Sequence, residues 1–350
     1  MRLTRRQFLA VSALAGIGIL SGGYFYMRST KKDESSETQD IEDEGVAPYS
    51  GESDVFIVKT TDRRAGINSL LEKFDLSDYR GKTVALKANY NSADPFPAST
   101  HLDTLGAIVE YLNEAGAVGI TLAERSGMGN TDDVLEQMGV YALASSLGFD
   151  AVPLENEVSD AWAKMEADWL HWDDGFHVSK VFLDSEKAVQ TCCLKTHRYG
   201  GHFTMSLKNS VGLVARRVPG DSHDYMSELH GSPNQRRMIA EINGFYGVDI
   251  VVMDAIRAFV NMGPDIGDIV NPNLLLASND RVAMDAVGVA ILRSYGTTDN
   301  VMRGKIFDLD QIKRAAEIGV GVDSADKINL IPVNDDAIDA VDVIRQFLTS

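Results

Sequence analysis

Cysteine is nearly missing from this chain of 350 residues, which carries only Cys192 and Cys193. Neighbouring cysteines seldom form a stable structural disulfide, because the required geometry strains the peptide between them. With no C-x-x-C group, a self-contained cysteine-ligated iron–sulfur cluster and a zinc ribbon are both excluded. The pair sits in the apolar run Ala188 to Leu194 and reads as buried strand residues. Also missing are a Walker A loop, a G-x-S-x-G elbow and a G-x-G-x-x-G turn, so P-loop, α/β-hydrolase and standard dinucleotide readings lack support. Positive charge is scarce: Lys and Arg number 33 against 51 Asp and Glu, for a formal net charge of −18. Such a balance repels phosphate backbones, and nucleic acid is not an expected partner. His197, His202, His223 and His230 raise the question of a metal, but their spacing matches no motif such as HExxH; no metal is assigned and the cofactor is left open.

What is present begins with Arg2, Thr4, Arg5, Arg6, Gln7, Phe8 and Leu9, followed by a run without charge from Phe8 through Leu20. A basic start ahead of an apolar stretch of this length has the form of a signal peptide. The adjacent arginines followed by a polar residue, Phe and Leu match the twin-arginine pattern, whose translocase passes folded proteins. Residues 1–30 are therefore expected to be an export segment, giving a periplasmic, extracellular or outer-face location. The uncharged run continues through Met27, about long enough to cross a bilayer, and no clean A-x-A site appears. Membrane anchoring through this segment is the second reading. Residues 31–54 hold nine acidic residues from Asp33 to Asp54 against Lys31 and Lys32, with almost no large apolar side chain. Such a stretch cannot bury enough surface to offset its ordering entropy and reads as a disordered linker.

From residue 55 to 350, short β-rich runs alternate with helical patterns: Val55 to Val58, Ala65 to Phe74, Thr83 to Leu86, Leu102 to Leu112, Val118 to Leu122. That alternation predicts an α/β domain with a mixed or mainly parallel sheet flanked by helices. Leu102, Leu105, Val109 and Leu112 form one stripe, and Thr100 followed by Asp103 offers an N-cap. The pattern blurs between Glu155 and His177, around Trp162, Trp169 and Trp172, and reads there as an insertion or lid-like segment. Strands are expected near Val178 to Leu183, Ala188 to Leu194, Asp249 to Asp254, Asn273 to Ala277 and Lys327 to Val333. Helices are expected at Thr204 to Val211, Asp280 to Tyr295 and Leu309 to Gly319.

Ligands of α/β sheets bind beyond the carboxyl ends of the strands, so the polar residues that follow strand patterns are the candidate site. Lys87 and Asn89 follow one strand, Glu124 and Arg125 another, Lys195, Thr196 and His197 a third, and Asp254 ends a fourth. The densest stretch, from Lys195 to Gly212, adds Lys208 and Asn209 among glycines that let backbone approach a ligand. A lysine ammonium suits carboxylate or phosphate, and a partly buried Lys208 needs an anion, from a ligand or from Asp254, Asp285 or Glu124. Asp285 shares the apolar face of its helix with Val282, Val289 and Leu292, and a buried acid asks for a cation.

Four runs carry a resemblance to a known family: LKAN at Leu86 to Asn89, LKTHRYGGHFTMSLKNSVG at Leu194 to Gly212, MDAIRAFVNMGPDIG at Met253 to Gly267 and ASNDRVAMDAVG at Ala277 to Gly288. Together they resemble the Domain of Unknown Function 362 family, many of whose members carry twin-arginine signals. The resemblance places the family's motif residues on Lys87 and Asn89, on Lys195, Thr196 and His197, on Lys208 and Asn209, and on Asp254, Asp280 and Asp285. Ala88 stands where members commonly have Pro, so the turn after that strand is this chain's own. Some relatives are described as iron–sulfur proteins with ferredoxin-like cysteine segments, which this chain lacks.

The leading expectation is an exported enzyme or binding protein for a small anionic molecule, with Lys87, Asn89, Glu124, Lys208, Asn209 and Asp285 lining the ligand and His197, Lys195 and Asp254 acting on it. The alternatives are a metal-binding or iron–sulfur-associated redox accessory protein working with a redox partner, and a non-catalytic envelope binding protein. All of the functional expectation depends on the three lysines meeting at one mouth of the sheet.

Overall fold

The computed structural model describes Tyr49 and residues 51–350. Residues 1–30, expected to be an export segment, and nearly all of the acidic stretch lie outside the described residues. Twelve strands follow in order: β1 Ser53–Lys59, β2 Thr83–Lys87, β3 Gly119–Glu124, β4 Asp150–Pro153, β5 Trp162–Met165, β6 Phe176–Ser179, β7 Lys187–His197, β8 His202–Thr204, β9 Ile250–Phe259, β10 Ile269–Val270, β11 Leu274–Ser278 and β12 Ile328–Pro332. The sheet starts two residues inside the stretch read as linker.

Ten of these strands form one sheet, in the order β12, β1, β11, β9, β7, β2, β3, β4, with β10 beside β9 and β8 beside β7. The neighbours β9, β7, β2, β3 and β4 are all parallel, as are β12 and β1. Along that path only β11 runs the other way, antiparallel to both β1 and β9. The fold is thus a mixed, mostly parallel α/β sheet, and the carboxyl ends of β2, β3 and β7 open onto one rim.

Helices cover both faces, as strands apolar on both sides require. On one face the helix Arg281–Ser294 is buried from Arg281 to Arg293 and packs with the helix Ile338–Leu348 over Leu194, Met253 and Leu276. On the other, Arg63–Leu71 and Leu102–Ala115 cover Val84, Leu86, Val189 and Val252. The Leu102–Ala115 helix carries the expected stripe, but its N-cap is His101, whose side chain accepts from the Asp103 N–H, and not Thr100; Gly116 at φ 89° closes it in the left-handed conformation.

The stretch Glu155 to His177 is no loose lid. β5 and β6 pair as a separate antiparallel ribbon, and Trp162, Trp172 and Phe176 join a third apolar cluster with Met238, Ile242 and Phe245. The expected helix from Thr204 is shorter: Thr204 ends β8, and only Ser206–Asn209 is α-helical before a 3₁₀ turn over Ser210–Leu213. The helix Ile338–Leu348 has no counterpart in the sequence reading. Among the described residues, no helix is long and apolar enough to cross a membrane.

Candidate functional site

β2, β3 and β7 each end in a charged or imidazole residue at the common rim, and the turn after β8 closes over them. Lys87, Asn89, Glu124, Arg125, Lys195, His197, Lys208, Asn209 and Gly212 line one small chamber of about 40 Å³. All three lysines therefore meet. The chamber opens into a larger cleft of about 1030 Å³ through shared walls at Asn91, Arg125, His197, Lys208, Val211 and Pro264.

The lysines differ in what is left for a ligand. An ammonium has three donors. Lys87, 1% exposed, spends all three: on Glu124 at 2.6 Å, on the Ala88 carbonyl at 2.5 Å and on Asn209 Oδ1 at 3.2 Å. Glu124 also accepts the N–H groups of Tyr90 and Arg125, each at 3.0 Å. Gly212 permits this pair, since a Cβ there would lie 2.8 Å from Lys87 Cε and 2.9 Å from Nζ and would collide with Glu124. Lys195, equally buried, donates to Asn89 Oδ1 at 2.7 Å and to the Ala98 carbonyl, which leaves one donor. Lys208 is half-buried and makes no hydrogen bond to the protein among the described residues; burial, then the nearby Lys195 and Arg125 charges, lower its pKa to about 8. Burial likewise pulls Lys87 and Lys195 down from the ordinary lysine value.

Arg125 is the fourth cation. Its guanidinium is held by the carbonyls of Val214 at 2.8 Å, Val211 at 3.1 Å and Ser126 at 3.2 Å, and burial lowers it to about 10. Neither Lys195, Lys208 nor Arg125 has a carboxylate within ion-pair distance among the described residues. In a chain of net charge −18, the chamber holds four cationic side chains and one acid.

His197 sits between the two compartments, 7% exposed, and its Nδ1 finds no partner in the protein. Burial first, then Lys208 and Lys195, hold it well below the ordinary histidine value, so at neutral pH the ring is uncharged. Gly201 gives it room: a Cβ there would stand 3.0 Å from Nδ1 and 3.1 Å from Lys208 Cε.

Two expected site residues are placed elsewhere. Asp254 lies in the middle of β9, not at its end, because the strand runs on to Phe259; it accepts from Arg63 Nε at 2.7 Å and Thr104 Oγ1 at 2.6 Å and touches neither cavity. Asp285 is buried as its periodicity predicts, but among the described residues no cation lies within ion-pair distance of it. Its oxygens accept the Ser206 and Leu207 N–H groups at 2.8 and 3.1 Å, so the acid anchors the turn that carries Lys208. Burial lifts it to about 7. Asp280 caps the Arg281–Ser294 helix through Val282 and Ala283 and also holds Ser53 and the Val322 N–H. Among the described residues, no group of three or more His, Cys, Asp or Glu gathers to hold a metal ion. Cys192 and Cys193 are buried, with both thiols pushed up by burial.

Arg125 directly follows Glu124 and obeys the same strand-end rule, a signal that marks it as a site residue as well. Gln235 and Met226 reach the outer cleft from helices far along the chain, and nothing in their local pattern points there.

The model of the family described as domain of unknown function (DUF362) matches residues 84–290. No curated protein matches. Among solved structures, the lactate racemase apoprotein from Thermoanaerobacterium thermosaccharolyticum is similar at 12% identity and a TM-score of 0.40, over 68% of this chain and 55% of that one. The chain thus spans about half the length of that protein.

Proposed function

The chain belongs to the DUF362 family, and within it we propose that this member binds, and with His197 as proton acceptor transforms, a small anionic molecule at the Lys/His-rich chamber. One observation carries the reading: Lys195, Lys208 and Arg125 converge without a carboxylate partner, an arrangement whose charge cost a bound anion removes. Lys208 supplies the free donors, Lys195 one more, and Asn209 and Asn89 fix the lysines behind them. Lys87 is a brace, saturated by Glu124, and Asp254 and Asp285 support the frame. His197, neutral and unpartnered at Nδ1, is the group able to take a proton from a molecule held there.

Thermal unfolding with inorganic phosphate and with acetate tests this. At a ligand concentration of about 100 Kd the folded state gains about 2.7 kcal/mol. In Lys208→Met, which keeps the apolar stem, the gain is expected to fall by at least half. Stabilisation is also expected to fade as pH rises through about 8, where Lys208 loses its proton. The anion-free protein moves the other way. The folded value of Lys208 lies below the unfolded one, so the unfolded chain binds more protons between about pH 8 and 10.4, and stability grows with pH across that window. No response to either anion, or a full response in Lys208→Met, overturns the proposal.

Export by the twin-arginine route belongs to the same proposal and is supported by Arg5, Arg6 and the uncharged run behind them. Fractionating cells that make Arg5→Lys/Arg6→Lys should find the protein held in the cytoplasm; unchanged export of that variant rejects the route.

A further inference from the structure

The two compartments differ in size by far more than one small ion explains. The chamber, at about 40 Å³, has room for little beyond one water or a single charged group. The outer cleft, at about 1030 Å³, stands at the top of the range of roughly 300–1,000 Å³ that small-molecule sites occupy.

The outer cleft is also lined for something organic. Gln235 is 5% exposed and lines it, yet its Nε2 donor has no partner in the protein. Its Oε1 is packed so closely over Gly200 that a Cβ there would collide with it. A buried donor of this kind asks for an acceptor on a ligand. The same cleft is lined by Met128 and Tyr199, 40% and 48% exposed, and by Val211, Met226 and Pro264. The Tyr199 ring is oriented: it stands edge-on to His197, with centroids 5.7 Å apart, and lies under the Arg198 guanidinium at 4.4 Å. Arg198 is pinned in turn by both oxygens of Asp265, at 2.5 and 2.9 Å. Of the two acids of the cleft, Asp224 is offset by Arg216 and Arg217, while Glu155, exposed and held by the Thr131 N–H and hydroxyl, keeps its charge.

We infer that the ligand is an extended organic anion, a phosphate ester or carboxylate whose charged end enters the chamber while an apolar or aromatic body with at least one hydrogen-bond acceptor lies in the outer cleft against Tyr199, Met128 and Gln235. This rests on the anion reading above and adds the body to it.

Calorimetric titration of the full chain at pH 7 with inorganic phosphate, phenyl phosphate, acetate and phenylacetate tests both parts. The ring-bearing member of whichever pair binds is expected to bind at least about tenfold tighter than its inorganic or acetate counterpart, the factor that roughly one buried aromatic contact supplies. In Tyr199→Ala/Met128→Ala that preference should shrink to about twofold. Both side chains are well exposed, and an unchanged melting temperature without ligand confirms that the variant folds. Equal binding within each pair, or a preference untouched in the double variant, overturns the extended ligand while leaving the anion reading standing. No binding of any of the four removes both.

Discussion

Glu124→Ala is expected to lower the unfolding free energy by about 3–5 kcal/mol, the usual cost of deleting one member of a buried ion pair. Both partners of the pair are 2% exposed in their side chains, and Lys87 would be left with only amide and carbonyl acceptors. The N–H groups of Tyr90 and Arg125 lose their acceptor at the same time. Denaturant unfolding measures the loss. The companion Lys87→Met/Glu124→Leu should recover most of it, since apolar replacement of a whole buried pair is often neutral. A single-variant loss below about 1 kcal/mol, the level of a surface pair, would mean that water reaches the site.

Asp254→Ala is expected to cost a similar amount, about 3–5 kcal/mol, and yet leave the response to phosphate or acetate in place. Asp254 is 1% exposed and holds Arg63 from the Arg63–Leu71 helix, Thr104 from the Leu102–Ala115 helix and the Ile256 N–H, at 3.1 Å. Removing it unties both helices from the sheet and leaves Arg63, largely buried, without its counterion. Its separation from both cavities predicts the second half of the result. Loss of anion response at a temperature where the variant is still folded would return Asp254 to the site and contradict the division of labour drawn here.

Much of this arrangement is legible in the sequence. The strand-end rule selected Lys87, Glu124, Lys195 and His197, because parallel strands deliver the residues after them to one rim whatever lies between. Lys208 stands out through the glycines around it, and Gly201 lies close against the His197 ring and the Lys208 stem. Asp254 misled because Asp reads as a strand terminator, whereas the apolar Ala255, Ile256, Ala258 and Phe259 carry β9 onward past it. Asp285 shows a different gap. Periodicity fixes which face a side chain occupies, not its partner, and two backbone N–H groups satisfied an acid for which a cation seemed necessary. The closing helix Ile338–Leu348 escaped notice because no side chain caps its start and its acidic residues mask the apolar stripe of Val341, Ile344 and Leu348.

The reversed direction of β11 has a further consequence for orientation. Because it turns back, Asp280 emerges at the rim opposite the chamber, and there it holds Ser53, the first residue of β1. The polypeptide upstream of Ser53 therefore joins the domain at its floor. An attachment at that end meets the domain on the side opposite the mouth of the cleft.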